Sequence, residues 1–217
     1  MWARGARMPV GDFSAMELQE VIRRRSMVRS FSTQPVAEGI VDRMLRAALR
    51  SPTAGNSRGT SWVVLEGQPE TAVYFDATTD EGWRADHPDW NEGLRRAPVV
   101  LLAYTSPEVY VARYAETDKS SSGLGSGAEA WPVPYWYGDA AFGVMAVLLA
   151  AVDAGLGSCV LGAFRGEDEL AGRLGVPDGW RLFCAVVLGH PDGREHRSAS
   201  LDRASPKTSA RIHRGRW

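Results

Sequence analysis

The chain has 217 residues but only two cysteines, Cys159 and Cys184, and four histidines. Neither cysteine belongs to a C-x-x-C pair or has a histidine beside it, which argues against a metal centre. Both stand in apolar segments and are expected as buried thiols in a reducing compartment. A dominant charge is also missing. The formal net charge is −1, so the whole molecule offers no case for nucleic acid or an anionic membrane as partner. The first fifteen residues lack the apolar core of a signal peptide. The longest apolar run, Ala140 to Val152, is shorter than the roughly 18–20 residues of a membrane span. A cytoplasmic protein is therefore expected. Nucleotide and hydrolase signatures are missing too: there is no G-x-x-x-x-G-K-[ST] and no G-x-S-x-G. Gly155-Leu156-Gly157 opens like a dinucleotide-binding glycine pattern, but Val160 stands where the third glycine is needed. His87, His190, His196 and His213 are scattered, and Glu167-Asp168-Glu169 reads as a solvated helix start.

What is present is an ordinary globular composition, long enough to bury a core without staples. Residues 1–14 read as a lead-in, and 15–217 as one domain. Ser14-Ala15-Met16-Glu17 has the pattern of a capping box, followed by a short helix that ends near Arg25 or Ser26. A second helix is expected over 36–50, stopped by Ser51-Pro52. Trp62-Val63-Val64-Leu65 is a strand, 69–97 is polar and partly helical, and Val99 to Tyr104 is a strand buried on both faces. Gly138 to Ala154 is the most apolar helix, with Asp139 suited to its N-terminus. Ser158 to Leu161 and Leu182 to Gly189 are two further strands, separated by a small helix over 167–174. Such mixing places the chain among α+β or α/β layer structures.

Two stretches carry chemistry. Arg23-Arg24-Arg25-Ser26-Met27-Val28-Arg29 puts four arginines into seven residues at a helix end. A dipole effect and solubility would account for fewer; a guanidinium fork matches the oxygens of a phosphate. Basic residues also gather between Arg194 and Arg216, so the two ends either are solvated or meet around one anion, with Arg203 as a third cation. Thr53-Ala54-Gly55-Asn56 is a tight loop whose Asn56 is either a plain turn residue or an amide that reads a polar ring edge. After both, 105–137 is a long insertion with a serine–glycine stretch and the aromatic run Trp131 to Tyr137. Trp131, Tyr135 and Trp136 could line a substrate lid or pack a dimer interface. Arg113 to Lys119 is either a zwitterion-binding stretch or a solvated face.

Arg25-Ser26-Met27-Val28-Arg29-Ser30-Phe31 resembles the R-R-S-x-R-x-F opening of the FMN-dependent nitroreductase family. Ser51-Pro52-Thr53-Ala54-Gly55-Asn56-Ser57 resembles that family's A-P-S-A-G-N-S loop. The glycines after the long apolar helix and the strand ending Leu188-Gly189-His190-Pro191 follow in matching order over roughly residues 15–217. The resemblance implies an α+β fold with a central mixed sheet flanked by helices, in a domain-intertwined homodimer with FMN at the interface. It implies that Arg25, Ser26, Met27 and Arg29 line the FMN phosphate and nearby ring, and that Pro52, Thr53, Ala54 and Asn56 hold flavin from the partner chain. Leu161, Gly162 and Ala163 would lie beside the isoalloxazine ring, and Arg203 would reach the phosphate, with Lys207 a rival. Met27 stands where many members have serine, Arg58-Gly59 replaces Gln-Pro, and the 105–137 insertion is longer than in compact members.

By the same resemblance the cofactor carries the chemistry. NAD(P)H would give hydride to flavin and leave, and an electron-poor small molecule, such as a nitroaromatic or quinone, would then take the electrons in ping-pong fashion. No catalytic side chain and no metal are required. Other readings are a specialised flavin enzyme (dehalogenase, flavin-cleaving enzyme or natural-product dehydrogenase) and a flavin-binding storage protein without turnover.

Overall fold

A computed structural model describes residues 16–194, 202 and 211–217. Four strands form the sheet: β1 (Thr60–Glu66), β2 (Val99–Thr105), β3 (Gly157–Leu161) and β4 (Arg181–Gly189), in the order β1-β2-β4-β3. All three pairings are antiparallel. The mixed sheet implied by the family resemblance is thus corrected for the described residues, and the connections give the reason. β1 ends and β2 begins at the same end of the sheet, where Glu66 pairs Val99; β3 ends and β4 begins at the other end, near the Leu161–Ala185 pair. One segment between β2 and β3 crosses from end to end, and β4 lies between those two strands.

β2 is buried along its whole length, as its continuous apolar run demands. Alternation along the strands divides the interior into two layers. Val100, Leu102, Tyr104, Ala185 and Val187 face one layer; Val99, Leu101, Ala103, Cys184, Val186 and Leu188 face the other. Helices cover both. The first layer is closed by α3 (Glu70–Thr78), α5 (Pro88–Arg95) and α8 (Glu167–Leu174), which contribute Tyr74, Phe75, Leu94 and Leu170. The short α4 (Glu81–Asp86) joins α3 to α5, its first turn capped by the Asp80 carboxylate, which accepts the Trp83 N–H at 2.7 Å. The second layer is closed by α2 (Ile40–Ala48) and α7 (Tyr135–Asp153). α2 is shorter than expected because Gly39, at φ +75°, sets its start. α1 (Leu18–Arg24) lies against α7, with Glu17 at its N-cap and no side-chain cap; Ser14 lies outside the described residues.

α7 begins at Tyr135, earlier than Gly138. It is 19 residues long, and by length and composition alone could cross a membrane. Its Val144, Val147, Leu148 and Ala151 instead pack on the sheet and α2, which makes it a core helix. The insertion is not a plain loop. It contains α6 (Pro107–Ala115) and three 3-10 turns, organised around a third cluster of Tyr110, Trp131 and Trp136. Both cysteines are free and buried, and burial pushes the Cys184 thiol up to about 12.

Candidate functional site

The arginine stretch splits into two pairs. Arg23 and Arg24 sit on α1 and both bond Glu20, at 2.6 and 2.5 Å, which with their side-chain hydrogen bonds holds that carboxyl down at about 2. These two are engaged on the helix surface. Past the helix end, Arg25 and Arg29 have no carboxylate within salt-bridge distance among the described residues. The Val28 N–H donates to the Ser158 carbonyl at 2.9 Å, so the stretch runs along the free edge of β3. Phe31, fully buried, forms a bridge with Pro191, and the Ser32 N–H donates to the His190 carbonyl.

Glycines make room for this threading. A Cβ on Gly157 would meet the Val28 side chain at 2.8 Å, and one on Gly93 would meet the Arg29 carbonyl at 2.5 Å. The Phe31 N–H donates to that same Gly93 carbonyl. Arg29 is oriented from the α5 side, its guanidinium 4.9 Å from the Trp90 ring centroid and donating to the Met27 carbonyl at 3.2 Å. Met27 and Leu161 pack against the same core cluster. Beyond Leu161 the chain leaves the sheet, and the N–H groups of Gly162 and Ala163 have no partner among the described residues. The structure therefore places Arg25, Ser26, Met27 and Arg29 on one stretch that runs along β3, the strand that ends at Leu161. Arg203 and Lys207 lie outside the described residues.

Pro52, Thr53, Ala54 and Asn56 are elsewhere. Their loop leads into β1, at the opposite edge of the sheet from β3. Three strand spacings of ~4.8 Å separate the two edges. Gly55, Asn56 and Arg58 all have left-handed backbone, with φ of +60°, +58° and +56°. The Arg58 N–H donates to Thr53 Oγ1 and its Nε to Asn56 Oδ1, each at 3.1 Å. A cleft of about 700 Å³ opens beside the loop, lined by Arg50, Thr53, Asn56, Arg58, Trp62 and Asp139 among others.

Sequence reasoning missed how this loop is held. Asp139 is buried in the second turn of α7, and its Oδ2 accepts both the Ala54 N–H at 2.7 Å and the Tyr110 hydroxyl at 2.9 Å. Burial, and then the hydrogen bond to Asp139, push the Tyr110 phenol far above its ordinary value. Trp131 and Trp136 are buried around Tyr110, with ring centroids 5.9 and 6.1 Å away, whereas Tyr135 is exposed. That burial turns Trp131 and Trp136 toward the chain's own interior. Asp139 was visible as a carboxylate heading an otherwise apolar helix, a charge that must find partners when buried.

The donor set fits a phosphorylated planar cofactor. Among the described residues, two guanidiniums without carboxylate partners flank an exposed Ser26 hydroxyl, and the backbone N–H groups just beyond Leu161 are unpaired. Among the described residues no cluster of His, Cys, Asp and Glu could hold a metal. The antiparallel sheet between two helical layers, with a basic edge and a glycine-turned loop, defines an α+β protein.

Residues 22–190 match the model of the Nitroreductase family, and the chain belongs to that family, whose members are oxidoreductases. It is 23% identical over 204 residues to a "Putative NADH dehydrogenase/NAD(P)H nitroreductase" of Archaeoglobus fulgidus, covering 93% of this chain and 99% of that one. Among solved structures it resembles the nitroreductase CinD from Lactococcus lactis in complex with chloramphenicol, with TM-score 0.66, 16% identity and coverage of 88% of this chain and 100% of that one. It also resembles a "putative nitroreductase in complex with fmn" from Desulfovibrio desulfuricans, with TM-score 0.60, 18% identity and coverage of 89% and 99%.

Proposed function

We propose that this chain is an FMN-dependent oxidoreductase that carries electrons from NAD(P)H to an electron-poor small molecule, such as a nitroaromatic or quinone, in ping-pong fashion. The observation that carries the reading is the pair Arg25 and Arg29 on the stretch along the free edge of β3, without carboxylate partners among the described residues. Arg25 and Arg29 would bind the phosphate through charge-assisted hydrogen bonds, with Ser26 as a further donor. Met27 and Leu161 to Ala163 would flank the ring system, with the N–H groups of Gly162 and Ala163 available to its polar edge. FMN, when bound, supplies the capacity to accept hydride and release electrons. The family relation supports the class, the FMN complex of the Desulfovibrio desulfuricans neighbour supports the cofactor, and the chloramphenicol complex of CinD supports an electron-poor acceptor.

The same reading makes 15–217 one domain of a cytoplasmic homodimer. The two motif regions occupy opposite sheet edges, so one chain would give its arginine edge to one cofactor and its 52–56 loop to the other. Exposed Leu18 and Ile22 on α1, with Phe142 and Met145 on the adjoining α7, supply an apolar face for a second copy.

The test is the visible spectrum of the purified protein, before and after anaerobic NADPH or NADH, together with Arg25→Ala. Flavin bands that bleach are expected, and the rates with NADPH and NADH in separate samples name the preferred reductant. Arg25→Ala should weaken FMN affinity about tenfold or more, since a charge-assisted contact is lost. Absence of flavin after incubation with FMN would overturn the cofactor assignment. A variant that retains wild-type affinity would overturn the placement of the phosphate.

A further inference from the structure

The loop over 53–58 is bonded within itself, yet its shape does not rest on those bonds alone. Two non-glycine residues in it, Asn56 and Arg58, hold a left-handed backbone that L-residues adopt at a cost. Something outside the loop must over-determine it, and the contacts that do so come from the insertion and the start of α7. The Asp139 carboxylate takes the Ala54 N–H at 2.7 Å. Arg113 Nε donates to the Gly55 carbonyl at 2.9 Å, while its two terminal nitrogens are held by Asp118 at 2.7 and 2.8 Å. The Tyr114 ring occupies the space next to Gly55, where a Cβ would come within 2.6 Å of it. At the far end of the loop, Gly59 lies against the Tyr110 ring, where a Cβ would come within 2.3 Å. The Gly59 carbonyl accepts the Thr105 hydroxyl at 3.0 Å. The aromatic cluster of Tyr110, Trp131 and Trp136 fixes the side chains that do this holding.

We propose that Asp139 and Arg113 are positioning residues that hold the 53–58 loop in its binding shape, and that the 106–137 insertion is a brace for that loop. This answers what the aromatic run is for: its buried rings support the loop from behind and need not touch a ligand. The functional consequence rests on the FMN reading above. The conformational claim does not, because every contact in it lies within one chain. Asp139 acts through Ala54, and Arg113 through Gly55; neither is needed to touch cofactor. The carboxylate is the suited group at 139, since one oxygen must accept from a backbone N–H and a phenol at once.

The test compares Asp139→Ala, Asp139→Asn and Arg113→Ala with the parent protein by two readouts: hydrogen exchange of the segment 51–59 without ligand, and FMN affinity by flavin fluorescence. Far-UV circular dichroism reports folding. Asp139→Ala and Arg113→Ala should each speed exchange in 51–59 about tenfold or more, with the sheet amides unchanged, and weaken FMN affinity by a similar factor. Asp139→Asn retains an acceptor for the Ala54 N–H and should restore most of both. Should Asp139→Ala fail to fold, Arg113→Ala, at a partly exposed position, decides the matter. Unchanged exchange in the folded variants would overturn the brace. Faster exchange with unchanged FMN affinity would overturn the positioning role. If the parent protein bound no FMN, the cofactor reading would fall while the exchange data still judged the brace.

Discussion

The two motif regions of this chain are held in opposite ways. The arginine edge is fixed by its backbone. Val28 and Ser32 bond the sheet edge and its extension, Phe31 is buried below, and the charged side chains project from a frame they do not build. The 53–58 loop is fixed largely from outside itself, by a carboxylate 85 positions away from the N–H it holds and an arginine 58 positions away from its carbonyl. The first region carries its chemistry on a stretch whose own backbone and buried Phe31 dock it onto strands distant in sequence. In the second, chemistry and support are separated, so the loop's shape can be altered without touching a residue in it.

Phe31→Ala should break the first region most severely. The ring is fully buried against the first core layer, so its removal should cost about 3–5 kcal/mol in urea unfolding. A loss below about 1 kcal/mol would mean that the backbone bonds alone hold the arginine edge. Gly55→Ala addresses the second region. A left-handed backbone at φ +60° is costly for alanine by about 1–2 kcal/mol, and the new Cβ would press on the Tyr114 ring. Faster exchange in 51–59 should accompany that loss. Equal destabilisation spread over the whole protein would instead place Gly55 in the general core, and the contrast between the regions would disappear.

The contrast also explains what could be read without coordinates. β2 and β4 were legible because β2 is buried along its whole length and β4 from Cys184 onward, which makes both apolar runs, and α8 because Gly175 and Pro177 end it. The separation of Arg25 and Arg29 from the rest of the arginine cluster was legible in part, since both lie beyond the helix end. That Glu20, on the same helix, is taken up by Arg23 and Arg24 was not legible. The insertion was harder. Tyr110 and Tyr114 stand one helical turn apart, and Pro107 suits a first turn, yet serine and glycine later in the segment masked α6. Asp139 had a local explanation as a helix-start charge, and nothing local pointed to Ala54 or Tyr110. Arg113 read equally well as part of a solvated charged run. The mixed sheet implied by family resemblance was a matter of strand direction, which side-chain pattern does not encode; it depends on which connections cross the sheet.

The smallest expected effect lies where the arginine edge meets the end of β4. The Ser30 hydroxyl donates to Asp192 Oδ2 at 2.9 Å, and the Arg194 N–H donates to Oδ1 at 2.9 Å. Burial alone would raise the Asp192 carboxyl, but the Arg194 N–H, the Ser30 hydroxyl and the charges of Arg194 and Arg96 together hold it below the usual carboxylate range. A carboxyl lowered on folding contributes stability that is fully present above its unfolded value and is lost as pH falls through its folded one. Ser30→Ala should therefore cost about 1 kcal/mol at neutral pH, and less in acid, where Asp192 becomes protonated in both proteins. Urea unfolding at the two conditions measures the difference. A cost that does not shrink in acid would show that Ser30, itself buried, holds the edge by packing and not through the ionised carboxylate, and would bring the arginine edge closer in kind to its purely backbone supports.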